Sequence, residues 1–228
     1  VSESAREWRA VGFDLDGTLF DHTGAAADAV RRLVVGLGSK PTPELVAAWF
    51  ALEAKHFESW CAGRISFAEQ RRLRLQHFLE LLGAKTPQDD NDLDEVFDGY
   101  LAHYRAAWRA FPGVPEVLAD LRGAGIRVGV LTNGTEEQQT DKLTVTGLSS
   151  VIDVVCTSEE IGVAKPEKRA FEILAERLGF SISEIAYVGD NPELDIAASR
   201  AAGVAAGLVR HGGAAPVGLM AALRSARV

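Results

Sequence analysis

From Phe111 onward the chain alternates short, uniformly apolar runs with helical patterns, and this alternation restricts the fold more than any other feature. RVGVLTNG, VIDVVCTS, IAYVGD and VAAGLVR read as strands, while PGVPEVLADLRGAG, EEQQTDKLTVTG, PEKRAFEILAERLG and PELDIAASRAAG read as helices between them. The strands lack the polar alternation of a half-solvated sheet, so both faces must be covered, as in an α/β fold whose parallel sheet carries helices on either side. Ala10–Phe13 adds a fifth strand at the start.

Between this first strand and the rest lies a long stretch with no convincing strand. Apolar residues recur at helical spacing in ELVAAWFALEAKHFESW, in FAEQRRLRLQHFLELLG and in NDLDEVFDGYLAHYRAAW, where Leu93, Val96, Phe97, Tyr100, Leu101, Tyr104 and Trp108 make one stripe. Asp92 is placed to cap that last helix. About 85 helical residues are too many for an ordinary crossover. The expected organisation is therefore a core of residues 1–20 and 111–228 with an all-helical cap of residues 21–110, hinged near Phe20 and Phe111–Pro112–Gly113. Trp49, Phe57 and Trp60 are expected in the cap core, and Arg71, Arg72 and Arg74 are expected to face solvent. His22, His56, His77 and His103 show no ligand spacing. Arg64, beside Gly63, is the cap residue best placed to meet an anionic group.

With 24 basic against 32 acidic side chains the net charge is −8, and no basic tract interrupts it. That balance argues against a nucleic-acid surface. Cys61 and Cys156 lie far apart and read as reduced, buried thiols. The segment VSESAREWRA has no apolar export core and no run approaches the length of a membrane span, so a cytoplasmic protein without membrane partners is expected. Whether it is a monomer or a homodimer is open.

The strand ends carry the chemistry. Strand 1 runs into Asp14 and Asp16, which leave the same side of an extended backbone, with Gly17 and Thr18 next. Strand 2 ends in Thr132, Asn133 and Gly134. Lys165 precedes Pro166 in the loop after strand 3, and strand 4 ends in Gly189 and Asp190 with Asp195 in the following helix. Open parallel sheets bind ligands at this edge. Asp14, Asp16 and Asp190 offer hard oxygen ligands without sulfur or clustered imidazole, which favours Mg²⁺ over zinc. The Thr132 hydroxyl and Asn133 N–H suit the oxygens of a phosphoryl group, and Lys165 adds a point charge that can neutralise one of them and hold Asp14 ionised. A carboxylate attacking phosphorus needs a nearby acid to protonate the leaving group, and Asp16 is two residues away.

With DLDGT, LTNG, the Lys165–Pro166 pair and GDNPELD in order, the chain resembles the haloacid dehalogenase-like hydrolases, in the subgroup with a helical cap after strand 1. That resemblance implies a Rossmann-like sheet ordered 3-2-1-4-5. It also implies Asp14 as nucleophile and Asp16 as general acid/base, with a backbone carbonyl of Asp16 on Mg²⁺. Thr132 and the Asn133 amide would bind phosphate, Lys165 would steady charge, and Asp190 would ligate the metal with support from Asp195. The substrate expected is a small phosphorylated metabolite, hydrolysed as a phosphate monoester. A sugar-phosphate mutase uses the same core set, and a non-enzymatic ligand-binding protein is the remote alternative. A dinucleotide site or a nucleotide kinase would need G-x-G-x-x-G or G-x-x-x-x-G-K-[ST], and neither is present.

Overall fold

The computed structural model describes residues 8–212 and 217–226. Residues 1–7 and the Cys61 side chain, on which the export and thiol expectations partly rest, lie outside the described residues. The chain divides into two compact units, Val1–His22 with Trp108–Val228, and Thr23–Ala107.

Among the described residues of the first unit, five strands form one all-parallel sheet in the order β3-β2-β1-β4-β5: β1 (Ala10–Phe13), β2 (Arg127–Thr132), β3 (Val154–Thr157), β4 (Ile185–Gly189) and β5 (Ala205–Leu208). This is the Rossmann-like order that the motifs imply. Every residue of β1 and β4 is buried, which is why these strands read as unbroken apolar runs. β1 lies between β2 and β4, with Phe13 opposite Val130 on one side and Val188 on the other. The strand ends bearing Asp14, Thr132 and Asp190 are therefore neighbours.

The intervening helices are α5 (Val114–Gly123), α6 (Glu136–Val145), α7 (Ser158–Ile161), α8 (Lys168–Leu178), α9 (Ala198–Ala202) and α10 (Leu219–Ser225). On α8, Ala170, Phe171, Leu174, Ala175 and Leu178 recur at helical spacing and pack with Leu131, Cys156, Ile185 and Tyr187. Each fully buried Leu or Phe there contributes about 1.5–3 kcal/mol of transfer free energy. Glu167 stands at the N-cap position of α8 without a side-chain cap bond, and the Lys165–Pro166 peptide is cis. A π-helical turn, Pro192–Ala197, begins the segment leading into α9, with the Asn191 side chain accepting from the N–H groups of Glu193 and Leu194 at 2.9 Å each.

The second unit is built from α1 (His22–Gly36), α2 (Pro43–Cys61), α3 (Phe67–Leu82) and α4 (Asp90–Ala106). Ser66 and Glu69 form a reciprocal capping box on α3, which Gly83 closes in the left-handed conformation. α4 is capped by Asp89, whose carboxylate accepts from Asn91 N–H at 2.7 Å, so the expected cap, Asp92, falls inside the first turn. The polar run before the helix holds several Asp residues, and the one with extended backbone takes the role.

Trp49 is fully buried and packs edge-on to Phe78 at 4.9 Å between centroids, with Tyr100 at 4.5 Å. The expectation that the α3 arginines face solvent fails at Arg74. This residue is only 4% exposed, with its guanidinium 4.1 Å from the Trp49 ring centroid and Nη1 donating to Glu53 at 2.8 Å. A nearby acid and an aromatic face compensate the buried charge, which periodicity does not reveal. Arg72 Nε donates to Asp94 at 2.8 Å, and Arg71 stacks on Phe67 at 4.4 Å. His56 and His77, unrelated by ligand spacing, meet at 3.0 Å between Nε2 and Nδ1. Trp108, expected on the α4 stripe, lies beyond the helix and meets Phe20 edge-on within the first unit.

The two chain segments joining the units run side by side. Phe20 bridges Ala110 antiparallel, Asp21 N–H reaches the Arg109 carbonyl at 3.1 Å, and Arg109 Nη2 pairs with the Asp21 carboxylate at 2.7 Å. Among the described residues no helix is long and apolar enough to cross a membrane.

Candidate active site

The Asp14 N–H continues the ladder from β1 to the Val188 carbonyl at 2.9 Å. The chain then folds back at once. The N–H groups of Leu19 and Phe20 return to the Leu15 carbonyl at 3.0 and 2.9 Å, and Gly17 N–H reaches the Phe20 carbonyl at 2.9 Å. Gly17 has φ of +90°, and a Cβ there would stand 2.3 Å from Asp190 Oδ2. Glycine is thus required both by the turn and by the approach of the Asp190 carboxylate.

Lys165 organises the buried side of the site. Its Nζ donates to Asp14 Oδ1 at 2.6 Å, to Asp195 Oδ1 at 2.7 Å and to the Tyr187 hydroxyl at 3.1 Å. An ammonium has three protons, and these partners use all of them. The Tyr187 hydroxyl donates in turn to the Leu131 carbonyl at 3.0 Å, and Asp195 Oδ2 accepts from Asn191 N–H at 3.0 Å. Burial disfavours the Lys165 ammonium, but Asp14, Tyr187 and Asp195 outweigh it and hold the group protonated, above the ordinary lysine range.

Asp14 is 6% exposed, and its Oδ2 has no hydrogen-bond partner among the described residues. Burial raises its pKa to about 7, with Asp195 and Asp190 adding repulsion that Lys165 only partly offsets. Lys165 alone therefore does not hold Asp14 in the usual carboxylate range. Desolvation and the Asp195 charge likewise raise Asp190 to about 6. Asp14, Asp190 and Asp195 can each offer an oxygen within 4.8 Å of the others.

Asp16 departs from the expected geometry. Because β1 ends at Phe13, strand alternation does not extend to Asp16, and its carboxylate turns to α6 instead of joining the Asp14 cluster. Lys142 Nζ lies 2.6 Å from Oδ1 and 2.8 Å from Oδ2, and Gln139 Nε2 donates to Oδ2 at 3.0 Å. Burial pushes Asp16 upward, yet Lys142, His22 and Gln139 together lower its pKa to about 2. The expected pair of like charges is divided between two lysines.

Gln139 Nε2 also donates to Thr132 Oγ1 at 2.7 Å, which leaves the Thr132 proton available to an acceptor. Asn133 ties two loops together: its Nδ2 donates to the Lys165 carbonyl and its Oδ1 accepts from Lys165 N–H, both at 2.9 Å. That side-chain clamp sets where Lys165 stands. Arg64, in the loop after α2, is exposed and pairs locally, with Nη2 3.4 Å from Ser59 Oγ and 3.8 Å from Glu58 Oε1.

Tyr187, Gln139 and Lys142 join the candidate site by contact, and no motif points to them. A signal existed: Gln139, Lys142 and Leu143 share the buried face of α6, two polar residues where the helical period calls for apolar ones. Tyr187 is similarly a polar ring inside a fully buried strand.

This chain belongs to the haloacid dehalogenase-like hydrolase family, whose model matches residues 8–203. It is an enzyme of the phosphoric monoester hydrolase kind that its curated relatives represent. It is 32% identical over 199 residues to a ribulose-1,5-bisphosphate 5-phosphatase of Halopiger xanaduensis, a match covering 86% of this chain and 82% of that one. It is 31% identical over 210 residues to a plasmid-encoded phosphoglycolate phosphatase of Cupriavidus necator, covering 92% and 84%. Among solved structures, the magnesium-bound HAD-hydrolase YfnB of Bacillus subtilis superposes with a TM-score of 0.79 at 22% identity, covering 96% of each chain.

Proposed function

We propose that the protein is a Mg²⁺-dependent phosphatase that hydrolyses a small-molecule phosphate monoester through a phosphoaspartyl intermediate on Asp14. The observation that carries this reading is the Asp14 carboxylate itself, with one oxygen held by Lys165 and the other buried without a hydrogen-bond partner among the described residues. An orphaned buried oxygen, with Asp190 and Asp195 nearby, fits a hard divalent cation. The carboxylates of Asp14 and Asp190 and the main-chain carbonyl of Asp16 would hold it. When bound, Mg²⁺ supplies positive charge against the phosphoryl oxygens. Asp195 has both oxygens engaged, by Lys165 and Asn191, and supports the site from behind.

The chain's own residues account for the rest. The Asp14 carboxylate attacks phosphorus, the bond from phosphorus to the ester oxygen breaks, and the departing alcohol takes a proton from Asp16, which is ionised in the free protein and takes that proton from the monoanionic phosphate ester as it binds. A water then attacks the phosphoaspartate and gives its proton to Asp16, and the Asp14–phosphorus bond breaks to release inorganic phosphate. The Thr132 hydroxyl and Asn133 N–H donate to phosphoryl oxygens. With its three protons spent on protein partners, Lys165 acts on the incoming charge through its field.

The helical unit, as a cap, selects the ester. The polar groups described at the strand ends are committed to phosphoryl transfer, leaving the alcohol portion to residues carried elsewhere. The second unit leaves and re-enters the sheet unit at one paired junction, Phe20 with Ala110.

Two results test this function. Exhaustive chelation should abolish hydrolysis of p-nitrophenyl phosphate, and added Mg²⁺ should restore it where Ca²⁺, with looser coordination, does so poorly. Full activity after dialysis against excess chelator overturns the metal assignment. Asp16→Asn should lower kcat/KM for an alkyl phosphate about 100-fold more than for p-nitrophenyl phosphate, because acid catalysis matters in proportion to leaving-group basicity. An equal loss on both substrates leaves Asp16 without its proton-transfer role.

A further inference from the structure

We infer that Lys142, assisted by Gln139, is a positioning residue that fixes the carboxylate of Asp16 for its work on the leaving group. This deepens the proposed function and rests on Asp16 acting as its acid.

The geometry is specific. Lys142 is 3% exposed, an uncommon place for an ammonium, and its Nζ reaches both oxygens of one carboxylate, at 2.6 and 2.8 Å. Phe20, at the junction between the units, lies with its ring centroid 4.9 Å from the same Nζ. An interior ammonium tends to cost more than it returns unless its partner is well placed, so the pair reads better as a device for position than for stability. Gln139 makes the arrangement two-sided. Its Nε2 reaches Asp16 Oδ2 at 3.0 Å and Thr132 Oγ1 at 2.7 Å, so one amide relates the acid to the hydroxyl proposed to bind phosphate. The opposite amide orientation would set Gln139 Oε1 against a carboxylate, which excludes it. His22 Nδ1 stands 4.0 Å from Asp16 Oδ1 and adds a further polar neighbour.

The backbone gives Asp16 little help. Asp16 sits one residue before Gly17 in a tight turn, outside β1, so strand geometry does not orient its side chain. Without Lys142, Gln139 holds a single oxygen of the Asp16 carboxylate, which can then rotate away from α6. That movement would take it from the leaving oxygen. Gln139, by contrast, touches both functions, so its loss should disturb substrate binding as well as proton delivery.

The test compares an alkyl phosphate with p-nitrophenyl phosphate in purified Lys142→Met, Gln139→Met, Asp16→Asn and Asp16→Asn/Lys142→Met. Lys142→Met should lower the alkyl-to-aryl ratio of kcat/KM by at least about tenfold, acting mainly through kcat. In the Asp16→Asn background the same substitution should change that ratio less than about twofold, since the group it positions is gone. Gln139→Met should lower the ratio and also raise KM for both substrates. If Lys142→Met is too unstable to purify, Lys142→Gln replaces it, with a smaller shift of the same sign. An unchanged or increased ratio in the Lys142 variant, while Asp16→Asn shows its selective loss, overturns this inference alone. If Asp16→Asn itself shows no selectivity, the acid role fails and this inference falls with it.

Discussion

Asp14→Asn is expected to lower turnover of p-nitrophenyl phosphate by about four orders of magnitude, with the fold intact. The amide is nearly isosteric but carries neither the charge nor the nucleophilic oxygen. The Lys165 ammonium, still bonded to Asp195 and Tyr187, keeps two of its three partners, so the loss is in chemistry and not in structure. Stopped assays on variant protein with an unchanged unfolding midpoint check this. Retention of more than about 10% of activity removes Asp14 from the nucleophile's role.

The second large effect is on stability. Lys165→Met deletes the buried cation between Asp14 and Asp195, leaving two carboxylates and a phenol desolvated together, and should cost about 3–5 kcal/mol. Urea unfolding in metal-free buffer measures it. The pH dependence has a definite sign. The folded-state pKa of Asp14 is already raised to about 7 from an ordinary 3.8, and loss of Lys165 raises it further. The folded variant then binds more protons than the unfolded chain, so its deficit should be largest above pH 7 and shrink on acidification. Asp195→Asn in the same background should recover part of the loss, and a deficit independent of pH would contradict the electrostatic cause.

Much of this fold could be read from the chain because local chemistry and tertiary role coincide in it. AVGF and IAYVG are wholly apolar or nearly so because both strands lie in the middle of a covered sheet, and the acids follow where β1 and β4 end. Asp14, Thr132, Lys165 and Asp190 occupy strand ends and loops, and Asp195 the π-helical turn after β4, all of which the topology draws to one edge. The residues that escaped notice are those whose role depends on a partner distant in sequence. Lys142 stands in a polar helix that reads as solvated, and its meaning appears only when Asp16, 126 positions earlier, is seen against it. Arg74 reads as a surface arginine until Glu53 and Trp49 are found around it. Strand alternation sets Asp16 beside Asp14, yet the turn at Gly17 begins too early for that rule to hold. Helical period reports which face is buried, not which buried polar groups find one another.

If Asp14 carries a covalent phosphoryl group during turnover, that adduct can be trapped chemically. Enzyme quenched during steady-state turnover of a phosphate monoester and reduced with borohydride should yield homoserine in place of Asp14, since an acyl phosphate is reduced where a free carboxylate is not. Peptide mass spectrometry locates the change. Homoserine at position 14, dependent on substrate and absent from Asp14→Asn, is the expected result; homoserine at another aspartate, or none in enzyme quenched while turning over saturating substrate, would contradict it.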